Sequence, residues 1–311
     1  MKAIVYNKKS LPSKLKYCDV HKPEPHDDEV LIKILASSIN AADYRSLKMG
    51  LIPKKKIFGA DIAGVVESIG KNILLFKPGD EIIGELSDSG FGGFAEYAVA
   101  PEKALILKPK KMSFEEAAAL PMAAITALQA LRKGNVQKGH DVLIVGSGGG
   151  VGTFAVQLAK YFETIVTAVC STKNIEQTKA LGADYIIDYT KEDFNRHDRH
   201  YDLIIAINGN YPLSTYKRIL KSNGKNIMVG GALSQIFKFL LFGWMMSFGS
   251  KKFHFLAAKL NKNDFELIVK LSEAGIIKSI IDRRYPLDKT AEAFQYVSEG
   301  HARGKVVIHV P

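Results

Sequence analysis

Three glycines near the middle of the chain have the spacing to bind a phosphate group. Gly146, Gly149 and Gly152 recur at every third position after Val142–Val145, a short apolar run typical of a strand buried on both faces. Glycine adopts the unusual backbone angles of a strand-to-helix turn and lets a bound group approach the main chain closely. The pattern therefore predicts that the backbone of this turn binds an anion.

The segments on either side of the turn make a dinucleotide the expected anion. Residues 151–161 carry apolar side chains at helical spacing, and Ile165–Val169 has the composition of a second strand. A helix that begins at the glycines presents unpaired N–H groups to a pyrophosphate. A tight turn in another kind of α/β protein is the alternative for the motif taken alone. The residues predicted to hold the cofactor here are Gly146, Gly149, Gly150, Val151 and Gly152.

The residues after the second strand distinguish the two nicotinamide dinucleotides. NAD-binding turns are followed, about 20 positions further on, by an acidic residue that binds the ribose 2′-hydroxyl. This chain has Cys170-Ser171-Thr172-Lys173 there. Because hydroxyls and a lysine accept a 2′-phosphate that a carboxylate repels, Ser171 and Lys173 predict NADPH rather than NADH. A solvated surface lysine is the alternative for Lys173.

The central region repeats the strand–helix unit, which predicts an α/β fold with a doubly wound parallel sheet. Further strands are predicted at Tyr185–Ile187, Leu203–Ile207 and Asn226–Val229, with helices at 176–181 and 212–220. Ligands of such sheets lie outside the carboxyl ends of the strands. The residues expected beside the cofactor by that rule are Asn208, Gly209, Gly230 and Gly231.

The two ends of the chain differ from this centre. The first part contains many short strand signals separated by glycine turns, which predict a small barrel-like β domain. A strand is predicted at Glu29–Ala36, a loop and helix start at Ser37–Arg45, and one capped helix at Met112–Gly134. The tail is expected to rejoin the first domain. The predicted domains are 1–113 with 256–311, and 114–255.

Composition excludes several other classes of protein. With 311 residues and 47% hydrophobic content, the chain is long enough for two compact domains. The net charge of +11 comes from scattered Lys and Arg without a base-reading motif, so a polyanionic cofactor is expected and a nucleic-acid partner is not. The two cysteines are too few for a disulfide scaffold and fit a cytoplasmic location. The N-terminal MKAIVY is too short for a signal-peptide core and indicates a first strand.

The segment Leu233–Phe255 is unusually apolar. It follows the last predicted strand of the central sheet, near where a substrate is expected to enter. Its aromatic and Met side chains fit core packing, a pocket for an apolar substrate, a dimer interface, or peripheral membrane contact with Lys251 and Lys252 at the lipid head groups. The sequence leaves these alternatives open.

Several stretches of the sequence resemble one superfamily along the full length of the chain. They include FGADIAGVVESIG, AALPMAAITALQAL, GSGGGVGTFAVQLAK and EGHARGKVVIHV. The pattern is similar to that of the medium-chain dehydrogenase/reductase superfamily, in particular its zinc-free quinone oxidoreductase, or zeta-crystallin-like, branch. The resemblance implies a GroES-like β-barrel domain made from both chain ends, a Rossmann domain, an NADPH cofactor and often a homodimer.

The resemblance also bears on metal binding. Where zinc-dependent alcohol dehydrogenases of this fold have their first cysteine ligand, this chain has Asn40, and where they have a His-Glu pair it has Ala60-Asp61. Their third ligand, a cysteine, would fall near Met122. Asn, Ala and Met cannot supply a thiolate–imidazole site, and one aspartate is insufficient. The sequence therefore predicts no metal.

The resemblance implies roles for individual residues. Thr126 matches a position against the nicotinamide, and Ser171 and Tyr189 match positions near the 2′-phosphate. Asn40 and Tyr44 match a polar pair on the substrate side, where they would be the catalytic donors that polarise a carbonyl. A half-buried packing tyrosine is the alternative for Tyr44.

These features predict a zinc-independent, NADPH-dependent oxidoreductase. The expected acceptor of the hydride is a quinone or an α,β-unsaturated carbonyl compound, that is, an enone or enal. An NADPH-binding sensor, or a crystallin-like structural protein with little turnover, is the alternative, because the features that bind the cofactor are stronger than those that would catalyse.

Overall fold

The computed structural model describes residues 1–9, 14–194, 198–208, 211–231 and 233–311. The chain divides into two units. The first comprises Met1–Ala123 with Leu260–Pro311, and the second comprises Ala124–Lys259. The domain boundaries expected near residues 113 and 255 stay a prediction.

Strands dominate the first part of the chain, and both faces of the longest one are largely buried. In the longest of them, Val30, Ile32 and Ile34 are fully buried and Lys33 is exposed. The elements are β1 (Lys2–Tyr6), β2 (Leu15–Asp19), β3 (Glu29–Ile39), α1 (Ala41–Met49), β4 (Asp61–Ile69), β5 (Glu81–Glu85), β6 (Tyr97–Pro101) and β7 (Leu105–Leu107).

The loop predicted to begin at Ser37 is wrong, because β3 continues to Ile39. Both serine hydroxyls are satisfied by the neighbouring strand: Ser37 Oγ donates to the backbone oxygen of Asp61 at 2.7 Å, and Ser38 Oγ donates to its carboxylate at 3.3 Å. With their hydroxyls bonded across the sheet, these residues have no need of the local turn that serine otherwise favours. The extension places Asn40 at the end of β3 and the start of α1.

The central region alternates helices and strands. The single helix predicted at Met112–Gly134 is wrong in one respect: it is two helices, since Pro121 cannot continue a helix and instead begins the second. The predicted cap at Ser113 is confirmed, because Ser113 Oγ accepts from Glu116 N–H at 3.2 Å. The elements are α2 (Phe114–Ala118), α3 (Pro121–Lys133), β8 (Asp141–Val145), α4 (Gly150–Tyr161), β9 (Ile165–Cys170), α5 (Ile175–Ala180), β10 (Tyr185–Asp188), β11 (Tyr201–Ala206), α6 (Leu213–Ile219), β12 (Leu220–Met228), α7 (Leu233–Met246) and β13 (Lys252–Phe255).

The second unit is built around a six-stranded sheet with the order β10-β9-β8-β11-β12-β13. Every neighbouring pair in it is parallel. The order runs outward in both directions from the pair β8 and β11, and ligands of such sheets bind outside the carboxyl ends of the strands at that switch point. The predicted doubly wound parallel sheet is confirmed.

The tail of the chain returns to the first unit. It contains α8 (Lys262–Glu273), β14 (Ile281–Pro286), α9 (Thr290–Ser298) and β15 (Lys305–His309). Strand β15 pairs antiparallel with the end of β3, in a sheet of order β14-β15-β3-β4-β5-β7 whose β3 also pairs β6, and β1 pairs β2 separately. This pairing brings Lys305, at the start of β15, to the end of β3. Short 3-10 turns lie at Ser87–Ser89, Glu102–Ala104, Thr172–Asn174 and Leu287–Lys289.

Helix α7 exposes most of its apolar side chains. Phe239 is buried and its ring lies 6.2 Å from that of Phe253 in β13, so core packing accounts for this stripe of the helix. Core packing does not account for the rest, since Trp244 is 63% exposed and Phe237 is 67% exposed. Within the described part of the chain, no helix is long and apolar enough to span a membrane. The other exposed apolar residues of this helix are Leu240, Leu241, Phe242 and Met245, and Phe248, just after it, packs its ring against that of Trp244.

Candidate active site

The glycine turn lies between the end of β8 and the start of α4. Gly146 has a φ of +91°, which favours glycine, and its N–H and that of Ser147 both donate to the Val169 oxygen of β9 at 3.1 Å. The turn is therefore held to the neighbouring strand, and the first N–H groups of α4 are left for a ligand at the carboxyl edge of the sheet.

The third and second glycines of the motif serve different purposes. A Cβ built on Gly152 would lie 2.2 Å from the backbone oxygen of Gly146, so the helix can approach the turn only with glycine there. A Cβ on Gly149 would meet nothing closer than that same oxygen, at 4.0 Å. Packing within the protein does not explain the glycine at position 149, whereas the close approach of a bound group does. The turn thus fits the pyrophosphate of a dinucleotide.

The segment predicted to contact the 2′-phosphate directly follows β9. Tyr189 N–H donates to the oxygen of Cys170 at 3.0 Å, so Tyr189 lies in space beside the residue that directly precedes Ser171. Lys173 is exposed in the short turn Thr172–Asn174 that follows. The structure therefore brings Ser171, Lys173 and Tyr189 to the same edge of the sheet, and their contact with a phosphate stays a prediction.

An acidic residue that the sequence analysis missed lies beside this segment. Asp188, at the end of β10, accepts hydrogen bonds from the hydroxyls of Thr172 and Thr190 and from the Thr190 N–H. The bond from Thr172 first, and then those from Thr190, lower the pKa of this carboxyl. Both oxygens are bonded within the protein, so the carboxylate orders the Ser171–Lys173 turn. The signal was present at the end of the neighbouring predicted strand, in YIIDYT.

Strands β11 and β12 bring further predicted residues to the same edge. Asn208 N–H donates to the Val145 oxygen at 3.2 Å, and a Cβ on Gly146 would lie 2.9 Å from that of Asn208. Gly230 N–H donates to the Ala206 oxygen at 3.3 Å, and Gly231, with a φ of +128°, comes next. Thr126 is buried in α3. Gly209 lies outside the described residues, and the roles of the others stay predictions.

In the first unit, Asn40 is part of a buried polar network. Its Oδ1 accepts from Lys305 Nζ at 2.5 Å, and its Nδ2 donates to Asp61 Oδ2 at 2.9 Å. Asn40 is 6% exposed, Lys305 is 2% exposed and Asp61 is fully buried. These contacts leave one Nδ2 hydrogen of Asn40 for a ligand.

Four donors surround the Asp61 carboxylate. Besides Asn40 and Lys305, they are the Ser38 hydroxyl at 3.3 Å and the Met122 N–H at 3.1 Å. Burial raises the pKa of Asp61 and lowers that of Lys305, while their mutual attraction opposes both shifts. Because donors occupy both oxygens, we assign the pair as carboxylate and ammonium.

Two further buried acids lie in the same unit. Asp43 accepts from the N–H groups of Asn40 at 2.8 Å and Gly59 at 3.1 Å, which fixes the start of α1. Burial raises the pKa of Asp43 to about 7. Glu85, at the end of β5, accepts from the N–H and hydroxyl of Ser87, and burial raises its pKa to about 7 as well. Asp43 thus belongs to the helix start predicted within Ser37–Arg45, whereas the sequence analysis had assigned Glu85 no role.

Glu85 gives a prediction for stability against pH. Because its pKa is raised on folding, the folded protein keeps a proton that the unfolded chain loses between about pH 4.5 and 7. The contribution of Glu85 to stability therefore falls as pH rises through this window and is constant above it. Glu85→Gln removes this contribution. As pH rises through the window, the unfolding free energy of the variant minus that of the wild type should therefore increase, by at most about 1.4 kcal/mol per pH unit. Urea titrations at pH 5, 6 and 7 measure this difference, and the same difference in unfolding free energy at all three pH values would contradict the prediction.

Tyr44 is half-buried in α1. Its side chain packs against the apolar core of the first unit, and the Arg45 guanidinium lies 5.8 Å from its ring centroid. These contacts fit the packing alternative, and a substrate contact by Tyr44 stays a prediction.

Comparison with known proteins identifies the chain. Residues 26–110 match the family described as alcohol dehydrogenase GroES-like domain, and residues 181–308 match that described as zinc-binding dehydrogenase. A chloroplast envelope quinone oxidoreductase homolog of Arabidopsis thaliana is 34% identical over 310 residues, which cover 94% of this chain and 93% of that protein. The chain belongs to the medium-chain dehydrogenase/reductase superfamily. The predicted fold class, Rossmann with a GroES-like domain, is thereby confirmed.

Two more members of the medium-chain dehydrogenase/reductase superfamily resemble this chain closely. A chloroplastic NADPH-dependent alkenal/one oxidoreductase of Arabidopsis thaliana is 32% identical, over 99% of this chain and 79% of that protein. The solved structure of a quinone oxidoreductase from Coxiella burnetii superimposes with a TM-score of 0.89 at 31% identity, covering 100% of this chain and 99% of that one. The protein is an oxidoreductase of this superfamily with a nicotinamide cofactor and a small carbonyl or quinone substrate.

The donor set in the first unit does not fit the zinc ion that some members of the superfamily bind. The structure does bring together Asn40, Asp61 and the backbone of Met122, the positions that match zinc ligands. An ammonium group, Lys305 Nζ, lies among them and already bonds the Asn40 oxygen. Among the residues that the structure describes, no three His, Cys, Asp or Glu side chains are grouped to hold a metal. A cation would meet a fixed positive charge and no thiolate or imidazole.

Proposed function

We propose that this protein reduces quinones or α,β-unsaturated carbonyl compounds with NADPH and without zinc. The observation that carries the proposal is the network of Lys305, Asn40 and Asp61, which puts an ammonium and a carboxamide where other superfamily members hold the metal. The names of the quinone oxidoreductase and alkenal/one oxidoreductase relatives support the choice of acceptor.

In this proposal the chain binds, orients and polarises. The glycine turn from Gly146 to Gly152 holds the pyrophosphate with backbone N–H groups. NADPH, when bound, supplies a hydride to the electron-poor carbon of the acceptor. The free Nδ2 hydrogen of Asn40 donates to the acceptor's oxygen as negative charge develops there, with Tyr44 as a second donor. Water then provides the proton, so no strong general acid is needed.

The zinc-free part of the proposal is tested on the purified protein. We expect less than stoichiometric zinc by elemental analysis, and equal rates of NADPH oxidation before and after dialysis against a chelator, with a quinone and an enal as acceptors. One zinc per chain together with a loss of activity on chelation would contradict it.

The preference for NADPH gives a second prediction. A charged hydrogen bond is worth about 1.5–3 kcal/mol, so Lys173→Ala should weaken NADPH binding by about 10- to 100-fold and leave NADH binding unchanged. Lys179, an exposed lysine in the last turn of α5, provides the control: Lys179→Ala should change neither affinity. Equal loss of both cofactors in Lys173→Ala, measured by fluorescence quenching, would contradict a contact with the 2′-phosphate.

We also propose that the apolar face of α7 is covered by a second copy of the chain. Strand β13, which follows α7, pairs only with β12 among the described strands, so its outer edge is open to a partner. Membrane contact fits less well, because Lys251 Nζ donates to the Lys217 oxygen and Lys252 Nζ to oxygens in the turn after α7. Both ammonium groups are bonded to the chain itself. We propose in addition that the protein is cytoplasmic.

The oligomeric state tests this surface. Trp244→Glu should convert a dimer to monomer in light scattering at micromolar concentration, because it buries a charge in an apolar interface. Leu74 is 88% exposed in the first unit, and Leu74→Glu should leave the dimer intact. A wild-type monomer that instead binds anionic vesicles through Trp244 would overturn the proposal in favour of membrane contact.

A further inference from the structure

Lys305 is a buried cation whose three hydrogens all have acceptors. Its Nζ lies 2.5 Å from Asn40 Oδ1, 3.4 Å from the Ile39 oxygen and 3.5 Å from Asp61 Oδ2. It reaches them because β15 pairs with the last residues of β3, across 265 positions of sequence. Lysines are almost never buried unless they are paired. The burial of Lys305 is therefore explained by the groups that its ammonium bonds.

The network fixes which way the Asn40 carboxamide faces. Lysine is only a donor and an ionised aspartate is only an acceptor. Lys305 on one side therefore requires the amide oxygen, and Asp61 on the other requires the amide nitrogen. Each partner favours the same orientation of the amide, and the two together hold it at both ends.

We propose that Lys305 is a positioning residue for the reduction, holding the Asn40 carboxamide so that its remaining Nδ2 hydrogen faces the acceptor. The inference rests on the proposed function and assigns part of it to a residue outside the predicted site. Asp61 completes the arrangement by accepting the other Nδ2 hydrogen. Lys305 itself does not touch the substrate in this account.

A matched lysine separates positioning from stability. Lys108 is also buried, and its Nζ bonds the oxygens of Pro109 and Met112 and pairs with Glu81 at 2.9 Å. Nothing in that set involves Asn40. Lys305→Met and Lys108→Met each remove a buried ammonium while keeping an unbranched side chain of similar length, so both should lower thermal stability. Only Lys305→Met should lower kcat at saturating substrate, by about 10- to 100-fold, because a misplacement of about 1 Å at the reacting groups can cost about 100-fold.

A double-mutant cycle on kcat with Asn40→Ala tests the route of the effect. If Lys305 acts through Asn40, then Lys305→Met should change kcat by less than about 2-fold in the Asn40→Ala background. The full loss in that background, or equal kcat losses in Lys305→Met and Lys108→Met, would overturn the proposal. Should Lys305→Met not fold, the cycle compares Asp61→Asn with Asp61→Asn/Lys305→Met, so that only Lys305 changes within each pair and neither charge is left unpaired in the double variant.

A measurement without turnover keeps this proposal separate from the proposed function. In protein labelled with ¹⁵N-asparagine, the side-chain amide signals assigned to Asn40 by their loss in Asn40→Ala should shift or broaden in Lys305→Met and stay unchanged in Lys108→Met. If the wild-type protein fails to oxidise NADPH with every quinone, enone and enal supplied, the proposed function is wrong. Unchanged Asn40 signals in Lys305→Met defeat the positioning role.

Discussion

Replacing Gly152 with alanine is expected to abolish NADPH binding and to destabilise the second unit. The added carbon would lie 2.2 Å from the Gly146 oxygen and 2.6 Å from the Ser147 Cα, both backbone atoms of the turn itself. Forcing a carbon into a close-packed site costs about 1–3 kcal/mol, and the relief must come from moving the turn that holds the pyrophosphate. Urea unfolding and fluorescence quenching by NADPH measure the two effects.

Gly149→Ala is the matched control for that variant. Its Cβ would come no closer to the protein than 4.0 Å from the Gly146 oxygen, and its φ of −91° and ψ of −178° suit alanine, so stability should be unchanged. The added methyl would instead occupy the place of the bound pyrophosphate and weaken NADPH binding by about 10-fold or more, which is at least about 1.4 kcal/mol. Full affinity in Gly149→Ala would contradict the assignment of this turn as the cofactor site.

The second large effect is expected for Asp61→Asn. It leaves the Lys305 ammonium buried without its carboxylate, and breaking a buried pair from one side costs about 3–5 kcal/mol. The variant Asp61→Asn/Lys305→Met should recover part of that loss, since neither partner is then left charged. Urea titration at pH 7 measures both.

The order of the unfolding free energies of wild type, Asp61→Asn and the double variant tests the ion pair. Asp61→Asn as stable as the wild type would mean that the pair is neutral in the folded protein. A double variant less stable than Asp61→Asn would mean that Lys305 stabilises the fold without Asp61. Either result would contradict the ion pair assigned here.

The features that could be predicted from the sequence are local ones. The turn from Gly146 to Gly152 lies between one strand and one helix, so its spacing alone predicts which residues would approach a bound phosphate. The strand predicted at Glu29–Ala36 and the cap at Ser113 are likewise set by residues within a few positions. Pro121 also acts locally: it interrupts the helix predicted at Met112–Gly134 and begins the second of the two helices found there.

The rest depends on contacts between distant parts of the chain. Lys305 bonds Asn40 only because β15 pairs with β3, and no pattern within either strand indicates that register. The same holds for Ser37, whose hydroxyl bonds β4, and for Asp188, which orders a turn after the neighbouring strand β9. The exposed face of α7 could not be predicted either, because an apolar run does not reveal whether its partner is the core or another molecule.

Transfer of deuterium from NADPH to an acceptor tests the central claim most directly. NADPH labelled at C4 is incubated with the wild-type protein and an enal, and the product is analysed by mass spectrometry for label at the β-carbon, with Lys108→Met as a folded control. The account predicts one deuterium at that carbon for each NADPH consumed, in both proteins. Tight NADPH binding with no label transferred to any enal or enone, and no NADPH oxidised by quinones, would contradict it and leave a cofactor-binding protein with little turnover.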